Sequence, residues 1–564
     1  MRSRSSRSKI LVASAVVGAG LVAQGGEGPG GSAFVRDKDV WAFLGDSITH
    51  ADTYRHTLER VLQHYHPEAT IRCAQGGQPG ALATASRAQF TQAAATERPT
   101  LVSLMTGMNN SINSDWRQGQ PLEKPLAGYR QQLTDFVRAA RSNNVDVVLM
   151  SPTLTDESLG WGSMWALDGT AEFLRRCGRI AAEVAAAEGA VFVPVAEDVE
   201  AVQQALRPEQ VLRHDGVHPS ARGQYAIARS LLRHMNFAGP LAPAAPRRLA
   251  EPPPSLPLEV TLASRFLHNG DTNIALVLTA GAAFDATVTW SGGATRGREP
   301  LKLAAGTNTW TLRLPAPLNL EAGAAGEYVL DVTDGRRMGL YLLDLCHTRV
   351  LHPRDGKVSG EILGAAGRPE GRKAVAWTLD VHDGKTLDFE AEVFDAEIRT
   401  DAAWPWGQDG LQVWLDYRPA DRFADGGLDS DVYMVMLLPR TTPWFTVGLR
   451  PWLGRGIYGA ATAGGEKTAT GYRCRLSIAD GEGQMRRFSK WQNADLSQRD
   501  FLGFSLIHTD LDTDAAGKPT AEFNLLHKTQ YPHDKYANTL MIVDLRDKLP
   551  GESVINAQVT RLLP

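Results

Sequence analysis

Chemistry in this chain begins at Gly45-Asp46-Ser47-Ile48-Thr49, which follows the apolar run Val40 to Leu44. A serine hydroxyl is a poor nucleophile until a base takes its proton. A tight turn between a strand and a helix exposes that hydroxyl. Gly45 permits such a turn, and Asp46 can accept backbone N–H groups within it. The candidate base is His218, in His214-Asp215-Gly216-Val217-His218-Pro219. Asp215, three residues earlier, can take the other imidazole N–H and fix the tautomer. A surface turn with a capping aspartate and a solvated histidine would use the same residue types.

Two further segments supply hydrogen-bond donors. Gly76-Gly77-Gln78-Pro79-Gly80 and Gly107-Met108-Asn109-Asn110 each follow an apolar run. A tetrahedral intermediate needs donors aimed at its oxyanion. The N–H groups of Ser47 and Gly77 and the amide of Asn109 are the candidates. Read separately, Gly77 suits a turn and Asn109 a loop. Four such segments in order, each at the end of an expected strand, make one site the better reading. Trp161 and Trp165, in Leu159-Gly-Trp-Gly-Ser-Met-Trp, are candidates for a substrate wall, because aromatic faces stack on sugar rings. They suit equally well a loop that tucks two indoles onto its own domain.

The elements that must position these residues read as follows. Val40–Leu44, Leu101–Met105, Val145–Met150 and Val191–Val195 are short, mostly apolar runs. Helical patterns at 53–64, 129–140 and 171–187 separate them. Buried strands alternating with helices imply a parallel sheet covered on both faces, with the site at the carboxyl ends of the strands. Residues 37–238 form this domain. Prolines 240, 243, 246, 252, 253 and 254 mark residues 239–256 as a stiff linker. Strand-like alternation then dominates. Residues 257–335 fit a small immunoglobulin-like β-sandwich, and 340–548 a larger one.

Residues 37–238 resemble the SGNH hydrolases, also called the GDSL lipase/esterase family. Gly45-Asp46-Ser47 matches the nucleophile block, Gly77 and Asn109 the oxyanion positions, and Asp215 with His218 the final block. The resemblance implies a flavodoxin-like α/β/α fold, no metal or other cofactor, and ester hydrolysis through an acyl-enzyme. Two positions depart from the family pattern: Gln75 stands where Asn is usual, and Asn110 where Asp is usual. Residues 340–548 resemble family 9 carbohydrate-binding modules and related DOMON-like sandwiches. The resemblance rests on Gln408 to Asp416, Gly471 to Leu476, Phe501 to Leu506 and Ala537 to Asp544. It implies a sugar held by aromatic side chains, with Trp404, Trp406, Trp444 and Trp452 as candidates. Core aromatics would have the same composition.

Arg2, Arg4, Arg7 and Lys9 precede the apolar, small-residue run Ile10 to Ala23. That reads as a signal peptide over residues 1–23 and hence a secreted or periplasmic protein, with an uncleaved anchor as the alternative. No later segment is expected to span a membrane in the mature protein. The net charge of -4 comes without a basic stripe, so nucleic acid is not an expected partner. The four cysteines, Cys73, Cys177, Cys346 and Cys474, show no CxxC pairing, and no metal site is expected. Cys346 with Cys474 is the first choice for any bridge, and buried thiols are the alternative. The expected function is a serine esterase that deacetylates a carbohydrate. A lipase or phospholipase is the enzymatic alternative, and a non-catalytic carbohydrate-binding protein the other.

Overall fold

The computed structural model describes residues 33–563 apart from 113–120, 157–168, 207–210, 213–215, 242–246, 248, 250–253, 294, 315, 319, 321–324, 364–372, 382–385, 396, 401–408, 419–431, 441–445, 454–460, 480–495, 514–518 and 526–540. The N-terminal unit is α/β. Its strands β1 (Val40–Gly45), β2 (Arg72–Gly77), β3 (Leu101–Met105), β4 (Asp146–Met150) and β5 (Val191–Val193) form one sheet in the order β2-β1-β3-β4-β5. All four pairings are parallel. Its helices are α1 (Ser47–His50), α2 (Thr53–Tyr65), α3 (Ser86–Thr96), α4 (Met108–Ile112), α5 (Glu123–Ser142), α6 (Thr170–Glu188), α7 (Val195–Ala205) and α8 (Ala221–His234).

Alternation along β1 shows how the layers are built. Trp41 and Phe43 pack into one apolar cluster with Tyr54, Leu58 and Val61 of α2 and Ile227 and Leu231 of α8. Ala42 and Leu44 point the other way, toward Phe90 of α3, Phe136 of α5 and Phe173 of α6. Both faces are covered, so the strand reads as an unbroken apolar run. One expected strand is shorter than the sequence implied. Pro194 lacks the N–H a strand would use, and it caps α7, which begins at Val195.

A large β-rich region follows. A three-stranded sheet, in the order 306–313, 273–280, 258–262, faces strands 284–292, 325–333 and 338–351 of a second sheet. Strand Met338–Leu351 belongs to two sandwiches. Its first part pairs with Ala325–Thr333 and with Ser553–Leu563, the last strand described, while Val350 and Leu351 pair with Ile542 and Val543. The second sandwich sets five strands, 357–363, 373–380, 386–394, 471–479 and 461–467, against the continuation of that sheet around one apolar core.

The N-terminal unit sits directly on the first sandwich. Helices α2 and α8 lie on the outer face of the sheet, and Val329, Leu340, Leu342 and Leu562 join the cluster that holds Trp41 and Leu231. The inner face of the same strand, with Tyr341, Leu343 and Leu345, fills the sandwich core. Residues Met338 to Leu351 are therefore buried on both sides almost throughout, which erases the polar alternation of an ordinary antiparallel strand. Polar ties cross the seam. Tyr225 donates to Asp344 at 2.5 Å, His64 Nδ1 lies 2.7 Å from Ser291 Oγ, and Arg296 donates to the Gln63 and His64 carbonyls at 3.0 and 2.6 Å. Arg60 pairs with Glu327 at 3.1 Å.

The proline-punctuated stretch is also anchored. The Arg247 side chain is only 4% exposed. It meets Asp39 at 2.7 and 2.8 Å, Asp146 at 2.7 Å and the Phe34 carbonyl at 2.8 Å. Burial pushes the Asp39 carboxyl up, but Arg247 outweighs it and holds the group below its ordinary range. All four cysteines are buried thiols. The bridge between Cys346 and Cys474 is not made, because Cys346 lies on the strand shared by the two sandwiches and Cys474 in the core of the second. Among the described residues, no helix is long and apolar enough to cross a membrane.

Candidate active site

The nucleophile candidate stands on a turn braced from several sides. β1 ends at Gly45 with φ +154°, and a Cβ there would lie 2.4 Å from the Met105 carbonyl oxygen. Only glycine tolerates both the angle and that approach. Asp46 caps α1 by accepting the Ile48 N–H at 2.9 Å, which makes Ser47 the first helical residue. Gln89 of α3 donates to the Gly45 carbonyl at 2.7 Å. Gln224 of α8 donates to the Ile48 carbonyl at 3.0 Å and accepts the Tyr54 N–H at 3.4 Å.

The base candidate arrives from the far end of the domain. Ser47 Oγ lies 2.8 Å from His218 Nε2. The backbone around His218 is pinned on both sides: Asp156 donates its N–H to the Gly216 carbonyl at 2.9 Å, and Ser220 donates to the Val211 carbonyl at 2.8 Å. Ser220 then caps α8 by accepting the Gly223 N–H. For His218 to accept the Ser47 proton, Nε2 must carry the lone pair and Nδ1 the hydrogen. Asp215 lies outside the described residues. Burial pushes the Asp46 carboxyl beside this pair up to about 6, while the Ile48 N–H and the His218 charge act against that rise.

The candidate oxyanion residues sit at adjoining strand ends. Gly45 is the register partner of both Gly77 and Met105. Asn109, in α4, donates its amide to the Ala81 carbonyl at 3.0 Å. The two positions that depart from the family pattern are both engaged: Gln75 reaches His50 Nδ1 at 3.1 Å, and Asn110 accepts the Ala83 N–H at 2.9 Å. A Cβ on Gly77 would lie 2.5 Å from the His50 nitrogen and 2.8 Å from the Thr49 carbonyl carbon. Backbone cannot rotate away as a side chain can. Gly77→Ala is therefore expected to cost about 1–3 kcal/mol of stability and to lower esterase kcat by displacing the α1 turn. Denaturant unfolding together with steady-state kinetics checks both effects.

Trp161, Trp165, Trp404, Trp406 and Trp444 lie outside the described residues. Trp452 falls on the strand Thr446–Leu453. Gln89 and Gln224 were not among the sequence candidates. Gln224 did leave a signal: it shares a helical face with Ala221, Ala228 and Leu231, all buried. A polar residue inside an apolar stripe implies a buried hydrogen bond.

Residues 43–226 match the model of the GDSL-like Lipase/Acylhydrolase family. Over 215 residues the chain is 26% identical to an acetylxylan esterase of Geobacillus stearothermophilus, a match covering 35% of this chain and 93% of that protein. Among solved structures, a crystal structure of an acetylxylan esterase from Geobacillus stearothermophilus is similar at 24% identity and TM-score 0.31, covering 37% of this chain and 99% of that one. An alpha/beta hydrolase enzyme from the metagenome of Lake Arreo, Spain, is similar at 22% identity and TM-score 0.31, covering 37% of this chain and 100% of that one. The N-terminal unit is thus a GDSL-type acylhydrolase domain and a homologue of an acetylxylan esterase.

Proposed function

We propose that this protein is a secreted serine esterase that removes acetyl groups from a carbohydrate, with Ser47 as nucleophile and His218 as general base. The observation that carries the reading is the 2.8 Å approach of Ser47 Oγ to His218 Nε2, within general-base reach. Ser47 Oγ attacks the ester carbonyl as its proton passes to Nε2. Asp215 receives the Nδ1–H and steadies the imidazolium. The N–H groups of Ser47 and Gly77 and the Asn109 amide take the oxyanion. His218 returns the proton to the departing sugar oxygen, leaving acetyl on Ser47. Water then attacks the acyl-enzyme, His218 takes its proton, and acetate leaves as Ser47 is regenerated.

The carbohydrate reading draws on the acetylxylan esterase likeness of the N-terminal unit. Trp161 and Trp165 form the substrate wall. The immunoglobulin-like first sandwich is a brace. The second, a family 9 carbohydrate-binding module in type, holds sugar through Trp404, Trp406, Trp444 and Trp452. Residues 1–23 direct export.

Acetate release from acetylated xylo-oligosaccharides and other acetylated polysaccharides tests the reading, with p-nitrophenyl palmitate as the lipid-ester control. Wild type is expected to release acetate from at least one saccharide, and Ser47→Ala from none. Release no greater than that of Ser47→Ala on every saccharide, with palmitate hydrolysed, would replace it with a lipase.

A further inference from the structure

We propose that the first β-sandwich is a working part of the esterase site: Asp344, through Tyr225, holds helix α8, and with it His218, in register against Ser47. The proposal rests on the reading of Ser47 and His218 as the reacting pair.

The two helices that follow the reacting residues share one platform. α2 begins six residues after Ser47 and α8 three residues after His218. Both lie on the outer face of the same sheet, against Val329, Leu340, Leu342 and Leu562. The relative placement of the two helices therefore depends on that sheet as well as on the N-terminal unit.

Two adjacent residues of α8 make the connection. Gln224 turns toward the nucleophile turn and binds Ile48 and Tyr54 of the segment that carries Ser47. Tyr225 turns toward the sandwich and donates to Asp344 Oδ2 at 2.5 Å. Asp344 is 7% exposed and stands on the strand face that also presents Leu340 and Leu342. Glu327 and Gln558 flank it on the neighbouring strands. Glu327 is itself paired with Arg60 of α2.

A leucine at position 344 would serve adhesion better, because an apolar contact needs no compensating hydrogen bond. What an apolar face lacks is direction, since packed helices can slide and rotate by small amounts. A short hydrogen bond from Tyr225 fixes where α8 sits along and around its axis. Asp344 and Tyr225 are positioning residues and touch no substrate.

The test uses the full chain. Tyr225→Phe and Asp344→Leu are compared with wild type on p-nitrophenyl acetate. Asp344→Asn keeps an acceptor for the Tyr225 hydroxyl. The first two are expected to lower kcat by about ten- to a hundredfold, the usual consequence of a small misplacement of reacting groups, with KM nearly unchanged. They are also expected to slow labelling of Ser47 by a fluorophosphonate probe to the same degree, while thermal melts show a folded chain. Asp344→Asn is expected to restore both rates. Wild-type kcat and wild-type labelling in folded Tyr225→Phe and Asp344→Leu would overturn the proposal. So would failure of Asp344→Asn to recover the rate while folded. If Asp344→Leu does not fold, Tyr225→Phe, which removes the same hydrogen bond from the α8 side, carries the test alone with the same two readouts. Ser47→Ala separates the layers: residual wild-type turnover in that variant condemns the reacting pair itself, whatever the sandwich does.

Discussion

Replacing His218 with alanine is expected to lower kcat for acetyl ester hydrolysis by about 10⁴- to 10⁶-fold, with KM little changed. The Ser47 hydroxyl has no other base in contact among the described residues: its side-chain partner is His218 Nε2 at 2.8 Å. Without an acceptor, attack must proceed with the proton still on oxygen or lost to solvent, and neither route is competitive. The loss falls on kcat because the imidazole acts as the proton moves and contributes little to binding the ground-state ester. Residues that act as one unit are not additive, so Ser47→Ala combined with His218→Ala should be about as slow as either alone. Binding and oxyanion donors should leave a residual rate above water. Steady-state kinetics on p-nitrophenyl acetate for the two single variants and the double variant checks this. An additive loss would mean that the two residues act in different steps.

Stability is expected to fall as pH rises from about 4 to about 7, and Asp331 and Asp344 are the cause. Both are buried at the seam between the N-terminal unit and the first sandwich. Burial pushes Asp331 up to about 7 against the Tyr65 hydroxyl and the Arg298 charge, and pushes Asp344 up to about 6 against its bond from Tyr225. The ordinary value is 3.8 for each. A raised folded-state pKa means that the folded chain holds its proton longer than the unfolded chain. The associated stability is complete below 3.8 and is lost as pH rises through about 6 for Asp344 and about 7 for Asp331. At about 1.4 kcal/mol per pKa unit, Asp344 alone accounts for about 3 kcal/mol.

Asp46, pushed up to about 6 by burial, acts in the same sense. His64 acts in the opposite one: burial and the Arg296 charge hold it down at about 3, so its contribution is lost as pH falls below 6.5. The double variant Asp331→Asn with Asp344→Asn isolates the seam carboxyls. Denaturant unfolding of wild type at pH 5 and pH 8 should show a clear loss at the higher pH, and the double variant should lose much less. Parallel pH profiles would show that these carboxyls ionise freely in the folded chain.

Position in the chain limited what could be read before folding. The α/β domain announces itself because each helix hides only one face and each strand is short and bounded. Val40 to Leu44 and, Ser103 apart, Leu101 to Met105 are apolar on both faces, and the structure buries both faces. The strand Met338–Leu351 is buried on both faces in the same way; Asp334-Gly335 marks the turn before it, but no alternation runs along it, and its role as a shared wall was invisible. The strand Ser553–Leu563 returns to the first sandwich after the chain has built the second. That pairing spans more than two hundred residues, and local pattern carries no information at such range.

The chemistry divides along the same line. Residue types and local spacing by themselves determined which groups could react, because a nucleophile needs a turn and a base needs a partner, and both needs are written within a few residues. Tertiary structure alone decided that Ser47 and His218, 171 residues apart, meet at 2.8 Å. It alone decided that Gln89, Gln224 and Tyr225 hold the frame around them. These are buried polar contacts between elements distant in the chain, and their partners exist only once the apolar faces have packed.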